Sequence, residues 1–137
     1  MAGAVRVTRE VWNALAEEAR QAGGLECCGL LAGRGGVITA VLAARNALGS
    51  GTAFEIAPEE LFRLFRRMRA LELEHLGIYH SHPATENAPS PSDIGQAYYP
   101  EAAYFIVSPA AEAAKPVRAF SVRDGRVEEL EIRIEES

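Results

Sequence analysis

The sequence predicts a mixed fold of α-helices and β-strands, either α/β or α+β. Apolar residues recur at helical spacing in some stretches and at strand spacing in others, in the order α, a run of β, α, β, α, β, β, β. The 137 residues are 48% hydrophobic and 24% charged, which suits one globular domain with one core. We therefore expect residues 1–137 to form a single domain.

The first half of the chain combines two amphipathic helices with short apolar strands. The helices are expected at 9–22, behind the capping residue Thr8, and at 58–73, where Pro58 suits a first helical turn. The second helix has an apolar stripe made of Leu61, Leu64, Phe65, Met68 and Leu71. Strands are expected at 5–7, 25–33, 37–44 and 54–56, and a Gly-Gly turn joins the second to the third as a hairpin.

The second half contains one short helix and four strands. An apolar run at 76–79 predicts a buried strand, and a polar loop at 84–90 follows it. The remaining elements are expected as a helix at 91–99, a strand at 103–107, a connection at 110–115, and strands at 117–123 and 126–134. The last two strands flank Asp124-Gly125, a typical hairpin turn.

Charge and composition exclude several classes of function. The formal net charge of −5 argues against nucleic acid or an anionic membrane as the main partner. No apolar run reaches the roughly 18 residues that span a bilayer, and the first 20 residues lack the pattern of a signal peptide. The adjacent Cys27 and Cys28 form neither a disulfide framework nor a CxxC pair. A reducing cytoplasm is the expected location.

Two histidines follow the predicted strand at 76–79 and have the spacing of metal ligands. Side chains two positions apart on a strand leave on the same face, so His80 and His82 can point at one ion while Ser81 points away. The loop after Pro83 then brings Asp93 to the start of a helix. Two imidazoles and one carboxylate leave a fourth tetrahedral position open, which is typical of a catalytic zinc site.

A metal-dependent hydrolase also needs a base and a donor for the developing oxyanion. Glu26 stands at the start of an apolar strand, where a charge is costly without a task or a partner, and it is the candidate base. Ser90 lies one helical turn before Asp93, and its hydroxyl is the candidate donor.

Each of these residues also has a purely structural interpretation. His80 and His82 could be core histidines with satisfied hydrogen bonds. Ser90 could cap the short helix, with Asp93 as the acid of its capping box. Glu26 could be a surface acid at the end of a strand. The residue types alone leave these alternatives open.

The five candidates stand at the spacing of a known family. Glu26, then His80-Ser81-His82, seven residues, Ser90, two residues and Asp93 resemble the motif E…H-S/T-H-x7-S-x2-D of the JAMM (MPN-plus) metalloproteases. The segments at 26–33 and 77–79 resemble the flanks of that motif, and the resemblance extends over nearly the whole chain.

The resemblance implies a cytidine-deaminase-like MPN/JAMM fold, in which a mixed, mostly antiparallel sheet is flanked by helices. It implies His80, His82 and Asp93 as ligands of one Zn²⁺ per chain, with a water as the fourth ligand, and Glu26 and Ser90 as catalytic residues. The compact form is similar to prokaryotic members that cleave after the C-terminal Gly-Gly of ubiquitin-like sulfur-carrier proteins. Those release an amino acid such as cysteine, or a lysine-linked protein. The expected partner is such a carrier or its conjugate, and a homodimer stays open.

Two alternative roles belong to the same fold, and one competing zinc class does not. Non-catalytic scaffolds of this family typically lack a metal ligand, and this sequence lacks none. RadC-type proteins usually carry Ser-Gly after His-Pro, where this chain has Ala84-Thr85. Nucleobase deaminases need a Pro-Cys-x-x-Cys pair, which is missing from this sequence.

Overall fold

The computed structural model describes residues 3–110 and 115–136, so 111–114 of the expected connection lie outside the described residues. Its strands form a closed barrel in the spatial order β1-β3-β2-β4-β5-β6-β7. The elements in chain order are β1 (Ala4–Thr8), α1 (Arg9–Ala22), β2 (Cys28–Arg34), β3 (Val37–Ala44), α2 (Pro58–Ala70), β4 (Glu74–Ser81), α3 (Pro91–Gly95), β5 (Ala103–Val107), β6 (Val117–Arg123) and β7 (Arg126–Glu135).

The sheet is mixed and more antiparallel than parallel, as predicted. The pairs β2–β3, β2–β4, β5–β6 and β6–β7 are antiparallel, whereas β4–β5, β1–β3 and β1–β7 are parallel. Because β1 pairs with both β3 and β7, it closes the sheet. Closure joins the two ends of the chain, and no local signal in the sequence indicates it.

The helices cover the sheet on two faces. Adjacent residues on a strand point to opposite faces, so Leu31 on β2 packs with Leu15 and Ala19 of α1, while Leu30 packs with Met68 of α2. Ile94 of α3 joins the face on which α2 lies. The expectation of a sheet flanked by helices is confirmed.

Most helix ends follow from their capping residues. The Thr8 hydroxyl accepts a hydrogen bond from the Val11 amide and begins α1, and Gly23, with φ of 61°, ends it. α2 ends at Ala70, earlier than expected, because Glu72 has a positive φ of 57°. Leu71 is consequently 48% exposed, and its assignment to the apolar stripe was wrong.

Among the described residues, no helix combines the length and hydropathy needed to cross a membrane.

Three other elements differ from the sequence prediction by more than two residues. β2 begins at Cys28 rather than 25, because the amide of Glu26 donates to Ser50 in a loop. Residues 54–56 form no strand, since the backbone of Glu55 bonds only to Asn46 and Ala47. α3 ends at Gly95 rather than 99. The backbone N–H of Tyr99 donates to the hydroxyl of Tyr104 instead of to a helical carbonyl.

Gly29 gives a test of the packing between β2, β3 and β4. A Cβ at Gly29 would lie 2.6 Å from the Tyr79 hydroxyl and 2.5 Å from the Leu42 carbonyl oxygen. Tyr79 is fully buried and its hydroxyl donates to Glu18 at 2.7 Å, so the ring cannot withdraw. We expect Gly29→Ala to lower the free energy of unfolding by about 1–3 kcal/mol, measured by urea denaturation. Gly24→Ala, where a Cβ meets nothing within 4 Å, is the control. Equal stability of the two variants would contradict this account.

Candidate metal centre

Two neighbouring strands and one short helix bring the candidate ligands together. His80 lies near the end of β4, in register with Cys28 on β2 and Ile106 on β5. His82 follows the last residue of β4, and its backbone N–H donates to the Val107 carbonyl at 3.0 Å. Asp93 lies in the first turn of α3. The three side chains thus reach one point from two parts of the chain, the end of β4 and the first turn of α3.

The three ligand groups of His80, His82 and Asp93 form a compact triangle, in which each group contacts the other two. The Nε2 atoms of His80 and His82 are 3.1 Å apart, Asp93 Oδ1 lies 3.2 Å from His80 Nε2, and Asp93 Oδ2 lies 3.1 Å from His82 Nε2. Ligands about 2.0–2.2 Å from a tetrahedral ion are separated by about 3.3 Å. Each of the three contacts is therefore close to the separation of two zinc ligands, and two imidazole nitrogens with a carboxylate oxygen are donors that suit zinc.

A backbone carbonyl fixes the tautomer of His82. Its Nδ1 lies 2.9 Å from the carbonyl oxygen of Glu86, which can only accept a hydrogen bond. Nδ1 therefore carries the hydrogen, and the Nε2 lone pair of the neutral ring is free for an ion at the centre of the three ligand groups. The sequence analysis did not identify this contact, since no side-chain signal marks a supporting carbonyl.

His80 is held by packing rather than by a second hydrogen bond. Its ring stacks on Phe54, with centroids 4.5 Å apart and the planes inclined by 22°. Its Nδ1 atom is buried and has no hydrogen-bond partner among the described residues. The ring of His80 is thus oriented by the strand and by Phe54.

Asp93 belongs both to the triangle and to a capping box. One carboxylate oxygen accepts the Ser90 backbone N–H at 2.9 Å, and the Ser90 hydroxyl accepts the Asp93 N–H at 3.1 Å. Burial alone would raise the pKa of Asp93, but the contacts of its carboxylate with the His80 and His82 imidazoles and with the Ser90 amide outweigh burial and hold the pKa well below its ordinary value. The capping and ligand interpretations of Asp93 are therefore compatible, because its carboxylate contacts both the Ser90 amide and the two imidazoles.

Glu26 is buried beside the triangle. It is only 5% exposed, which excludes the interpretation as a surface acid. Burial raises the pKa of Glu26 above its ordinary value, and the nearby Asp93 charge adds to this, while His80 and His82 oppose it. A carboxylate with a raised pKa close to metal ligands has the properties of a general base.

Ser81 ties the segment of Glu26 to the histidine strand. The fully buried Ser81 hydroxyl accepts the Cys27 backbone N–H at 2.9 Å, and the Ser81 N–H donates to the Cys27 carbonyl at 3.0 Å. As the alternation of β4 predicts, this side chain points away from the two imidazoles. Its contact with Cys27 fixes the residue next to Glu26 against the strand that carries His80.

An apolar cleft adjoins the triangle. Its volume is about 240 Å³, and His80 and Asp93 form part of its wall. Aliphatic and aromatic side chains line most of the rest, among them Leu61, Ile106 and Tyr98, together with the polar Glu55 and Gln96. The cleft was not predicted, because its residues come from distant positions with no shared pattern.

A family comparison places this architecture among known proteins. A family model described as "Prokaryotic homologs of the JAB domain" matches residues 8–123. The CysO-cysteine peptidase of Mycobacterium tuberculosis is 31% identical over 132 residues, covering 95% of this chain and 90% of that protein. The desampylase of Haloferax volcanii is 33% identical over 87 residues, covering 61% of this chain and 63% of that protein.

The fold is also found among solved structures. The JAB1/MPN domain protein AF2198 from Archaeoglobus fulgidus superposes with a TM-score of 0.64 at 19% identity, over 95% of this chain and 98% of that one. At this identity the likeness shows the fold alone, and it agrees with the MPN/JAMM fold expected from the motif.

Removal of one imidazole tests the triangle as a metal site. We expect His80→Ala to weaken zinc binding by more than the roughly 10- to 100-fold that loss of a supporting contact causes. Competition with a chromophoric chelator measures the dissociation constant. His75→Ala is the matched control, because His75 lies at the other end of β4, between Phe65 and Tyr99. Equal zinc affinity of the two variants would refute the site.

Proposed function

The chain belongs to the family of prokaryotic JAB-domain proteins, and we propose that it is a zinc-dependent peptidase acting on a ubiquitin-like sulfur-carrier protein. It hydrolyses the bond after the carrier's C-terminal Gly-Gly and releases an amino acid such as cysteine, or a lysine-linked protein. The observation that carries the proposal is the convergence of His80, His82 and Asp93 within 3.2 Å, beside the buried Glu26.

His80, His82 and Asp93 would hold the zinc ion. When bound, zinc supplies Lewis-acid chemistry, lowering the pKa of a water molecule and polarising a carbonyl oxygen. The low pKa of Asp93 keeps this ligand anionic at neutral pH, and the Glu86 carbonyl keeps the Nε2 lone pair of His82 free for the ion.

Glu26 transfers a proton from the attacking water to the departing nitrogen. Its carboxylate accepts a proton from the attacking water as the water oxygen bonds to the carbonyl carbon of the terminal glycine. When the C–N bond breaks, Glu26 gives that proton to the departing nitrogen, so the carboxylate is regenerated. The raised pKa of Glu26 supports both steps, since a base with a pKa nearer neutrality exchanges protons more readily in each direction.

Ser90 stabilises the negative charge that develops on the carbonyl oxygen. Its hydroxyl oxygen already accepts the Asp93 amide, which fixes the position of the oxygen. The hydroxyl hydrogen is not used in that bond and can be donated to the oxyanion. The two tasks of Ser90, capping α3 and donating to substrate, therefore use different atoms of one group.

The similarity to the CysO-cysteine peptidase supports the choice of substrate. It spans 95% of this chain and 90% of that relative, so it includes the loops around the site as well as the motif. The cleft beside His80 supports binding of an extended tail, because an apolar side chain that precedes Gly-Gly can enter it while the glycines pass the triangle.

Glu26→Gln tests the assignment of the base. The substitution keeps the shape of the side chain but removes the proton acceptor, so we expect kcat to fall by about 10²- to 10⁴-fold with zinc affinity unchanged. The assay follows release of cysteine from a carrier joined to it through Gly-Gly, with and without chelator. Glu86→Gln is the control, since this exposed side chain lies near the site while its carbonyl is unaffected. Full turnover by Glu26→Gln would exclude Glu26 as the base.

Ser90→Gly separates catalysis from helix capping. Glycine at an N-cap costs only a few tenths of a kcal/mol relative to serine, so the fold should retain nearly all its stability. Loss of one oxyanion donor typically lowers kcat by about 10²- to 10³-fold. We expect that loss in single-turnover measurements, alongside a thermal unfolding midpoint near that of wild type. A variant that turned over normally would leave Ser90 with capping as its only task.

A further inference from the structure

We propose that two asparagines position separate halves of the site, Asn46 the base Glu26 and Asn87 the metal ligand His82. Each acts through a backbone carbonyl group rather than by touching the reacting atoms. The inference rests on the proposed function, because these tasks require that Glu26 takes a proton and that His82 binds zinc.

Asn46 organises the loop of residues 46–55, which lies against Glu26. Its Nδ2 donates to the carbonyl oxygens of Glu26 at 3.1 Å, Ser50 at 3.3 Å and Ala53 at 2.9 Å. Its Oδ1 accepts the backbone N–H groups of Leu48 at 3.0 Å and Glu55 at 3.2 Å. One side chain thus connects the residue that carries the base to both arms of the loop.

The peptide group between Glu26 and Cys27 is consequently held at both ends. Asn46 binds its carbonyl oxygen, and the Ser81 hydroxyl binds its N–H. The Glu26 N–H donates to Ser50, on the loop that Asn46 organises. With the backbone fixed on each side, the Glu26 carboxylate has a defined position relative to the triangle. Without Asn46, the hydrogen bonds that remain on this peptide group and on the Glu26 N–H, among the described residues, are those to Ser81 and Ser50.

Asn87 anchors the loop between His82 and α3. It is only 6% exposed although its neighbour Glu86 is exposed. Its Nδ2 donates to the Ile106 carbonyl of β5 at 3.3 Å and to the Lys115 carbonyl before β6 at 2.8 Å. A loop whose other residues are exposed or only partly buried is therefore held to two separate segments by one buried amide.

The anchor determines where the Glu86 carbonyl points. That carbonyl belongs to the peptide group whose nitrogen is the backbone nitrogen of Asn87, so fixing Asn87 fixes its plane. The same oxygen accepts the Ala88 N–H at 2.9 Å and faces His82 Nδ1 at 2.9 Å. Asn87 thus maintains the contact that directs the His82 lone pair at the metal position.

The two tasks are separable because the asparagines share no partner. Asn46 bonds to Glu26 and to its own loop, whereas Asn87 bonds to β5 and to the segment before β6. Effects at sites without common partners are usually independent. The substitutions should therefore affect different measured quantities.

The experiment compares Asn46→Ala and Asn87→Ala with Asn13→Ala, an exposed position on α1 that serves as the control. For Asn87→Ala we expect zinc affinity to fall by about 10- to 100-fold, with kcat at saturating zinc within about threefold of wild type. For Asn46→Ala we expect unchanged zinc affinity and unchanged KM, with kcat lower by about 10- to 100-fold, as for a displaced catalytic group. Zinc affinity is measured by chelator competition without substrate, and kcat and KM with the carrier joined to cysteine.

Each outcome decides a different question. Equal loss of zinc affinity in both variants, or no change in either quantity, would overturn the division of tasks. Asn46→Asp and Asn87→Asp keep the side-chain shape but lack the Nδ2 donors, and they repeat the test if an alanine variant unfolds. Failure of both variants to fold at one position would mean that this asparagine serves folding, which overturns that half of the inference. A wild-type chain that binds no zinc or cleaves no conjugate would instead overturn the proposed function.

Discussion

The site depends on a reciprocal pair of hydrogen bonds between Ser81 and Cys27. The Ser81 amide donates to the Cys27 carbonyl, and the Cys27 amide donates to the Ser81 hydroxyl, at 3.0 and 2.9 Å. Each such bond contributes only about 1 kcal/mol to stability. They matter more for geometry, because they fix the segment that contains Glu26 against the end of β4, which carries His80. Serine between two histidines satisfies this need, since His80 and His82 face the candidate metal position while Ser81 faces the segment that contains Cys27.

The surroundings shift the pKa values of two carboxylates at the site, Glu26 and Asp93, in opposite directions. Burial raises the pKa of Glu26, whereas the contacts of the Asp93 carboxylate with the imidazoles outweigh burial and lower the pKa of Asp93. Such a separation assigns different roles to chemically similar groups. Asp93 remains an anion suited to an ion, and Glu26 is left able to exchange a proton. Burial also raises the thiol pKa values of the neighbouring Cys27 and Cys28, to about 11 and about 12, so both thiols stay protonated at neutral pH.

The sequence predicted those features that depend on local spacing. The alternation of β4 placed His80 and His82 on one side and Ser81 on the other, and Asp124-Gly125 marked the last hairpin, where both residues have positive φ. Features that depend on contacts between distant segments were not predictable. They include barrel closure through β1 and β7, stacking of Phe54 on His80, and the carbonyl of Glu86 at His82. The roles of the five motif residues stay predictions, although their proximity is now described.

The double use of Asp93 links the order of α3 to occupancy of the centre. α3 has only five residues, far fewer than a helix needs to persist unaided, and its first turn is completed by the carboxylate that faces both imidazoles. A cation that binds the Asp93 carboxylate therefore also favours the helical conformation of residues 91–95. By thermodynamic linkage, a well-formed helical turn raises the affinity for the cation to the same extent. Under the proposed roles, the segment that bears Ser90 is thereby coupled to metal binding, and the proposed oxyanion donor is best ordered when the proposed zinc site is filled.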